Sequence, residues 1–129
     1  FHLELDYMTI STYGDGRAVS QPKVVMDIDV SRTSLEGRHI VLLDDLVDTG
    51  ATAAFAGELL MARGAEVVDV ATLANKNTVR DPRFMEFPGE VISCFEVPDV
   101  WITGMGMDDS RVAPEGNRWL PYIAVARDL

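Results

Sequence analysis

Three aspartates, two threonines and a glycine fall within nine residues, Asp44-Asp45-Leu46-Val47-Asp48-Thr49-Gly50-Ala51-Thr52. Adjacent carboxylates such as Asp44 and Asp45 suit a vicinal diol, whose hydroxyls donate to them, as ribose presents. The second half of the stretch suits an anion. Gly50 lets the backbone approach closely, Thr49 and Thr52 add hydroxyl donors, and a helix opening there supplies unpaired N–H groups at its positive end. Such a site stabilises a phosphate without any lysine. Asp48 lies between the two halves, within reach of whatever the sugar carries, although an aspartate in this position also reads as a simple helix cap.

These side chains need a strand before them and a helix after them. His39-Ile-Val-Leu-Leu-Asp44 is a short apolar run of the kind found in parallel strands covered by helices on both faces. Ala51 to Arg63 carries Phe55, Leu59 and Ala62 at helical spacing, with Gly64 where a C-terminal cap belongs. Glu66 to Leu73 is a second apolar strand. Together they predict a right-handed βαβ unit whose acid-rich loop lies at the carboxyl edge of the sheet, where open α/β sheets bind ligands. Upstream, Leu3, Leu5 and Tyr7 alternate with Glu4 and Asp6, which predicts a half-buried strand running to Ile10. Ser11 to Gln21, with Gly14, Asp15 and Gly16, reads as a mobile loop joining that strand to another over Lys23 to Val30. Glu90 to Val97, Val100 to Thr103 and Leu120 to Ala126 supply further strands. Without an internal repeat or linker, residues 1–129 read as a single α/β domain with a mainly parallel sheet flanked by helices and a flexible hairpin lid.

Composition narrows the partners. The chain is 47% hydrophobic and 25% charged, which suits one packed core and not a disordered segment. Eleven basic residues against 21 acidic ones give a net charge of −10, and the cations are scattered singly, so no nucleic-acid partner is expected. Cys94 is the single cysteine and the two histidines, His2 and His39, are distant in sequence, which excludes an internal disulfide and a structural zinc site. No apolar run reaches membrane-spanning length and no leader peptide is visible; the expected location is the cytoplasm, away from membranes.

The stretch from Val41 to Thr52 resembles the defining motif of the type I phosphoribosyltransferases: apolar residues, two acids, two more apolar residues, then Asp-Thr-Gly-x-Thr. The resemblance implies that Asp44 and Asp45 contact the ribose hydroxyls while Asp48, Thr49, Gly50, Ala51 and Thr52 wrap the 5-phosphate. The wider sequence is similar to hypoxanthine-guanine phosphoribosyltransferases. Leu3 to Gly14 resembles the segment leading into their flexible catalytic loop, with Thr12-Tyr13 where a Ser-Tyr pair closes over the reaction centre. Val70-Ala-Thr-Leu-Ala-Asn-Lys76 resembles the strand whose final lysine hydrogen-bonds the exocyclic oxygen of a six-oxo purine. Phe95 to Asp108 resembles the base-binding strand and loop, which implies that Trp101 stacks on the purine, that the backbone of Ile102 reads its edge, and that Asp108 contacts magnesium, with Asp44 and Asp45 as further metal candidates. Arg118 matches an arginine that contacts pyrophosphate. Taken alone, Thr12-Tyr13 reads as an exposed loop, Lys76 as an exposed loop lysine, Trp101 as a half-buried strand residue, and Asp108 with Arg118 as a solvated pair. Asp109 and Met105 stand where the family has aromatic residues, and Ser31 to Ser34 and Ser110 to Asn117 add length.

The activity this implies is magnesium-dependent transfer of ribose 5-phosphate from phosphoribosyl pyrophosphate to hypoxanthine or guanine by a homo-oligomer, a dimer or a tetramer. Asp48 is then the candidate general base for the proton on the purine's imidazole nitrogen. Family members begin with a strand, a pyrophosphate loop and a helix ahead of the part matching Leu3, so the chain is expected to be a fragment, which leaves its activity by itself open. Two other classes compete. One is a non-catalytic domain of the same fold that binds a nucleotide or the activated sugar. The other is an aspartic protease, because Leu46-Val-Asp48-Thr49-Gly50-Ala51 also resembles the signature of that group; its fold is almost wholly β, whereas a helical pattern follows the motif here.

Overall fold

The computed structural model describes residues 2–11, 22–29, 31–109 and 116–126. A short antiparallel pair comes first, β1 (Thr9–Ser11) against β2 (Lys23–Met26). The strand expected over Leu3 to Ile10 is present only at its end. Leu3, Leu5 and Tyr7 are 85%, 73% and 67% exposed, so their alternation meets no surface on which to bury itself among the described residues.

The acid-rich run does form a strand, and a longer one than its apolar part predicts. β3 (His39–Val47) leads into α1 (Ala51–Ala62), and β4 (Val67–Lys76) returns parallel to it, with Asp44 beside Thr72 and Val47 beside Asn75. Asp44 and Asp45 are therefore strand residues with a backbone fixed by the ladder, and the loop proper is only Asp48-Thr49-Gly50. After β4 comes a one-turn helix, α2 (Pro82–Met85), which the sequence reading lacks. Its signature is the N-cap of Asp81, whose carboxylate accepts from the Arg83 N–H, followed by proline at the first helical position. β5 (Val91–Val97) then adds parallel to β4, giving the order β3-β4-β5. A two-stranded antiparallel ribbon, β6 (Ile102–Thr103) with β7 (Ala124–Val125), closes the described fold. The result is an α/β fold built on a mainly parallel sheet flanked by helices, which is the fold class expected and is incompatible with the all-β protease reading.

Packing assigns each face of the sheet a role. Val68 and Val70 on β4 meet Leu60 and Ala53 of α1, with Ile40 and Leu42 of β3 beside them. Within α1, Gly57 admits the Phe87 ring, which would strike a Cβ at that position. A third cluster, Ala74, Ile102 and Met107 with Leu46 and Val97, seats the β6–β7 ribbon on the carboxyl ends of all three parallel strands. The opposite face departs from the expected two-sided cover: Val41, Leu43 and Ile92 are 51%, 74% and 60% exposed. No helix among the described residues is long and apolar enough to cross a membrane.

Candidate functional site

The carboxyl edge of the sheet gathers the loop, the end of β4 and the ribbon. At its centre is the start of α1. Gly50 is the N-cap in the left-handed region, with φ 84°, and a Cβ there would collide with the Phe84 ring of α2. A glycine is required on both counts. No side chain caps the helix and no acid stands in its first turn, so the positive end of the helix is not neutralised from within. At the helix start the Gly50 carbonyl accepts from the Ala54 N–H at 2.9 Å, and the Thr49 hydroxyl accepts weakly from the Ala51 N–H at 3.4 Å. Asp48 is not the cap, which removes its plainest alternative role.

Two adjoining cavities open at this edge. The smaller, about 90 Å³, is lined by Asp44 and residues 46–53. The larger, about 280 Å³, lies between Met8, Ile10 and the strand-helix junction and shares Asp44, Thr52 and Ala53 with the smaller. Asp44 thus stands at the junction of both. Although it keeps solvent exposure, crowding strips hydration from its carboxyl; this, with the hydrogen bond and charge of neighbouring Asp45, pushes its pKa up to about 6. The Asp45 N–H donates to Asp44 at 2.9 Å and opposes that rise.

Asp48 and Lys76 meet across the ends of β3 and β4, Nζ to Oδ2 at 3.3 Å. Their environments differ sharply, the Lys76 side chain being 8% exposed and that of Asp48 51%. Lys76 is therefore not the exposed loop lysine of the plain reading. It is the last of the five alternately buried β4 residues, its stem packed inside and its ammonium turned to the loop.

The ribbon holds the other predicted residues. Trp101 is 44% exposed just before β6, and Ile102 is 5% exposed, its side chain in the core cluster with Ala74 and Met107. Asp108 and Arg118 contact each other at 3.5 Å, and Arg118 also donates to the Gly106 carbonyl at 2.9 Å, so this pair has the partly solvated character of its plain reading. Asp109 is buried, 2% exposed, where an aromatic was the expected family residue. Thr12 and Tyr13 lie outside the described residues.

For a metal, the described residues offer no cluster of three or more His, Cys, Asp or Glu side chains. The exposed, oxygen-only pair Asp44 and Asp45 nevertheless fits magnesium, which characteristically takes one or two carboxylates and completes its shell with substrate phosphates and water.

Nothing in the sequence pattern singles out Arg80, Asn75 or Phe84, yet they back the loop directly. Arg80 donates to the Asp48 carbonyl and to Asn75 Oδ1, reaches the Val47 carbonyl at 3.5 Å, and lies over the Phe84 ring at 5.5 Å.

Comparison with known proteins places this geometry in context. The sequence profile of the phosphoribosyl transferase domain family matches residues 1–110. The chain is 33% identical over 128 residues to the hypoxanthine-guanine phosphoribosyltransferase of Streptococcus thermophilus and 36% identical over 128 to that of Bacillus subtilis, covering 98% of its own length and 65% and 64% of theirs. It spans about two-thirds of the length of these relatives, or slightly less. Among solved structures, the hypoxanthine phosphoribosyltransferase of Staphylococcus aureus superposes with a TM-score of 0.74 at 28% identity, over 98% of this chain and 63% of that one.

Proposed function

The chain belongs to the phosphoribosyl transferase domain family, and from that premise we propose that residues 1–129 act as one domain of a purine-salvage enzyme. The reaction is transfer of ribose 5-phosphate from phosphoribosyl pyrophosphate to hypoxanthine or guanine, with release of pyrophosphate. One observation carries the reading: the Lys76–Asp48 pair, at 3.3 Å, adjoins the uncapped start of α1 and its left-handed Gly50. On this reading Lys76 meets a six-oxo base and the helix start takes a phosphate, with Asp48 next to both. The relatives named above carry purine specificity in their names, which supports the same substrates here.

In this mechanism the Thr49 and Thr52 hydroxyls and the N–H groups of residues 48–52 hold the 5-phosphate. Asp44 and Asp45 accept from the ribose hydroxyls and stabilise positive charge as it develops at the anomeric carbon. Lys76 spends one of its three N–H donors on Asp48 and offers another to the purine's exocyclic oxygen. Asp48, half-exposed and held in orientation by Lys76, accepts the proton from the purine's imidazole nitrogen as the new C–N bond forms. Trp101 covers the base with its ring, the Ile102 backbone meets the base edge, and Arg118 faces pyrophosphate, with Thr12 and Tyr13 on the lid. Asp44, Asp45 or Asp108 would hold magnesium, which would supply positive charge to neutralise the leaving pyrophosphate. The enzyme is assigned to the cytoplasm as a homo-oligomer.

Calorimetric titration of the chain with guanosine monophosphate, and with phosphoribosyl pyrophosphate plus magnesium, tests the proposal. Saturable binding that disappears in a Thr49→Ala, Thr52→Ala double variant supports it. A folded chain that binds neither ligand refutes it.

A further inference from the structure

Arg80 is charged, partly buried and committed to backbone rather than to another charge. Its contacts converge on two successive peptide units of the phosphate loop, and the residue after it holds a third. The guanidinium takes the carbonyls of Val47 and Asp48 through one nitrogen, while the other nitrogen is fixed by Asn75 on the adjacent strand. The next carbonyl in line, that of Thr49, accepts from the Asp81 N–H at 2.8 Å. Residues 80 and 81 therefore hold the carbonyls of residues 47, 48 and 49 in sequence. In a trans peptide the N–H points opposite to the carbonyl of the same unit. Anchoring these oxygens from one side turns the N–H groups of Asp48, Thr49 and Gly50 toward the other, and those residues line the smaller cavity. The Phe84 ring completes the support, lying beneath Arg80 and filling the space where Gly50 lacks a Cβ.

We infer that Arg80 is a positioning residue that pre-forms the phosphate-binding face of the loop, with Asn75 and Phe84 fixing its guanidinium. The inference rests on the proposed reading of this loop as the 5-phosphate site. A planar group with several divergent donors is needed, because a lysine ammonium cannot serve two backbone carbonyls and Asn75 while lying flat on a ring. The side chain approaches the site from behind and needs no contact with substrate. Its effect is thus confined to ligands that use the loop, and it distinguishes phosphate from base.

The test compares ribose 5-phosphate with guanosine as calorimetric ligands for the parent chain and for Arg80→Met and Arg80→Lys. Affinity for ribose 5-phosphate is expected to fall about tenfold or more in both variants, on the scale of a lost hydrogen-bond framework, while guanosine affinity stays unchanged. Should Arg80→Met fail to fold, Asn75→Ala serves in its place: it frees one edge of the guanidinium and is expected to weaken ribose 5-phosphate in the same selective way. Equal losses for both ligands, no loss for either, or full rescue by Arg80→Lys would overturn the positioning role. A parent chain that binds guanosine but not ribose 5-phosphate would instead remove the phosphate-site reading and this inference with it.

Discussion

Replacing Asp44 by asparagine is expected to stabilise the unligated protein, and to do so in proportion to pH. The carboxyl is raised from 3.8 to about 6 by lost hydration and by the adjacent Asp45. The folded chain therefore holds this proton more tightly than the unfolded chain does. Below both values Asp44 is neutral in either state and costs nothing; as pH rises through the interval, the unfolded chain ionises while the folded chain keeps its proton, and stability falls until both are ionised. One pH unit of displacement corresponds to about 1.4 kcal/mol, so a fully shielded group would lose about 3 kcal/mol. Asp44 retains solvent exposure, and screening brings the expected figure to about 1 kcal/mol. For a chain of this size that is a rise of roughly 3–5 °C in melting temperature at about pH 8 for Asp44→Asn over the parent, shrinking to roughly a third of that near pH 4.5. Paired thermal melts across this range cancel the effect of every other titrating group. A variant no more stable than the parent at high pH, or one whose gain does not depend on pH, would refute the reasoning. Asp45→Asn, which removes the second cause of the shift and leaves the lost hydration, should recover a smaller gain that appears only toward the upper end of this pH range.

Gly50→Ala meets both a φ of 84° and the Phe84 ring and should lose ~1–3 kcal/mol in urea unfolding; in a Phe84→Ala background the collision is gone and the angle remains, so a double variant as stable as Phe84→Ala alone would show that the backbone angle is unimportant. Asp48→Asn should slow nucleotide formation by about a hundredfold or more while guanosine monophosphate affinity stays within a few-fold, and unchanged turnover in a steady-state assay would remove Asp48 as the base. Lys76→Met should lower affinity for guanosine monophosphate by about tenfold relative to adenosine monophosphate, and an unaltered ratio in competition binding would deny Lys76 its part in reading the base.

The parts of the fold that the sequence discloses are those whose burial is complete enough to leave a pattern. The β3–α1–β4 unit is legible because α1 covers one face and the apolar residues that meet it recur at strand or helix spacing. Leu3 to Tyr7 has an equally clear alternation and stays outside the sheets, because alternation states only that a segment is able to bury one face. β6 and β7 have two residues each, too short for any period, and are fixed instead by the side chains of Ile102 and Ile123 against the sheet end. At the site, Asp44 to Thr52 is readable because the chemistry is contiguous. Lys76 is readable as a residue type but not as a buried one, since its burial comes from tertiary packing at the end of β4. Arg80 and Phe84 leave no such trace: one binds main-chain atoms and the other fills a space left by a glycine 34 residues away, and neither relationship has a sequence period.

The loop also concentrates features that are unfavourable taken singly. Two adjacent carboxylates crowd each other, a helix begins with no side-chain cap, and Gly50 lies in the left-handed region. Each works against stability in the unligated chain, and each suits an anionic sugar phosphate, whose ribose hydroxyls pair with the carboxylates and whose charge meets the helix start. What offsets them is close by and does not compete for the ligand. Arg80 and Asp81 hold three carbonyls, Phe84 packs on Gly50, and Phe84 stacks with Phe87 at 5.9 Å against α1. On the proposed reading of the loop the strain lies on the ligand side and the support behind it, which is the arrangement expected where a binding surface must exist before its ligand arrives. Substitutions on these two sides should therefore separate: Asp44→Asn gains stability and loses ligand, whereas Phe84→Ala loses both.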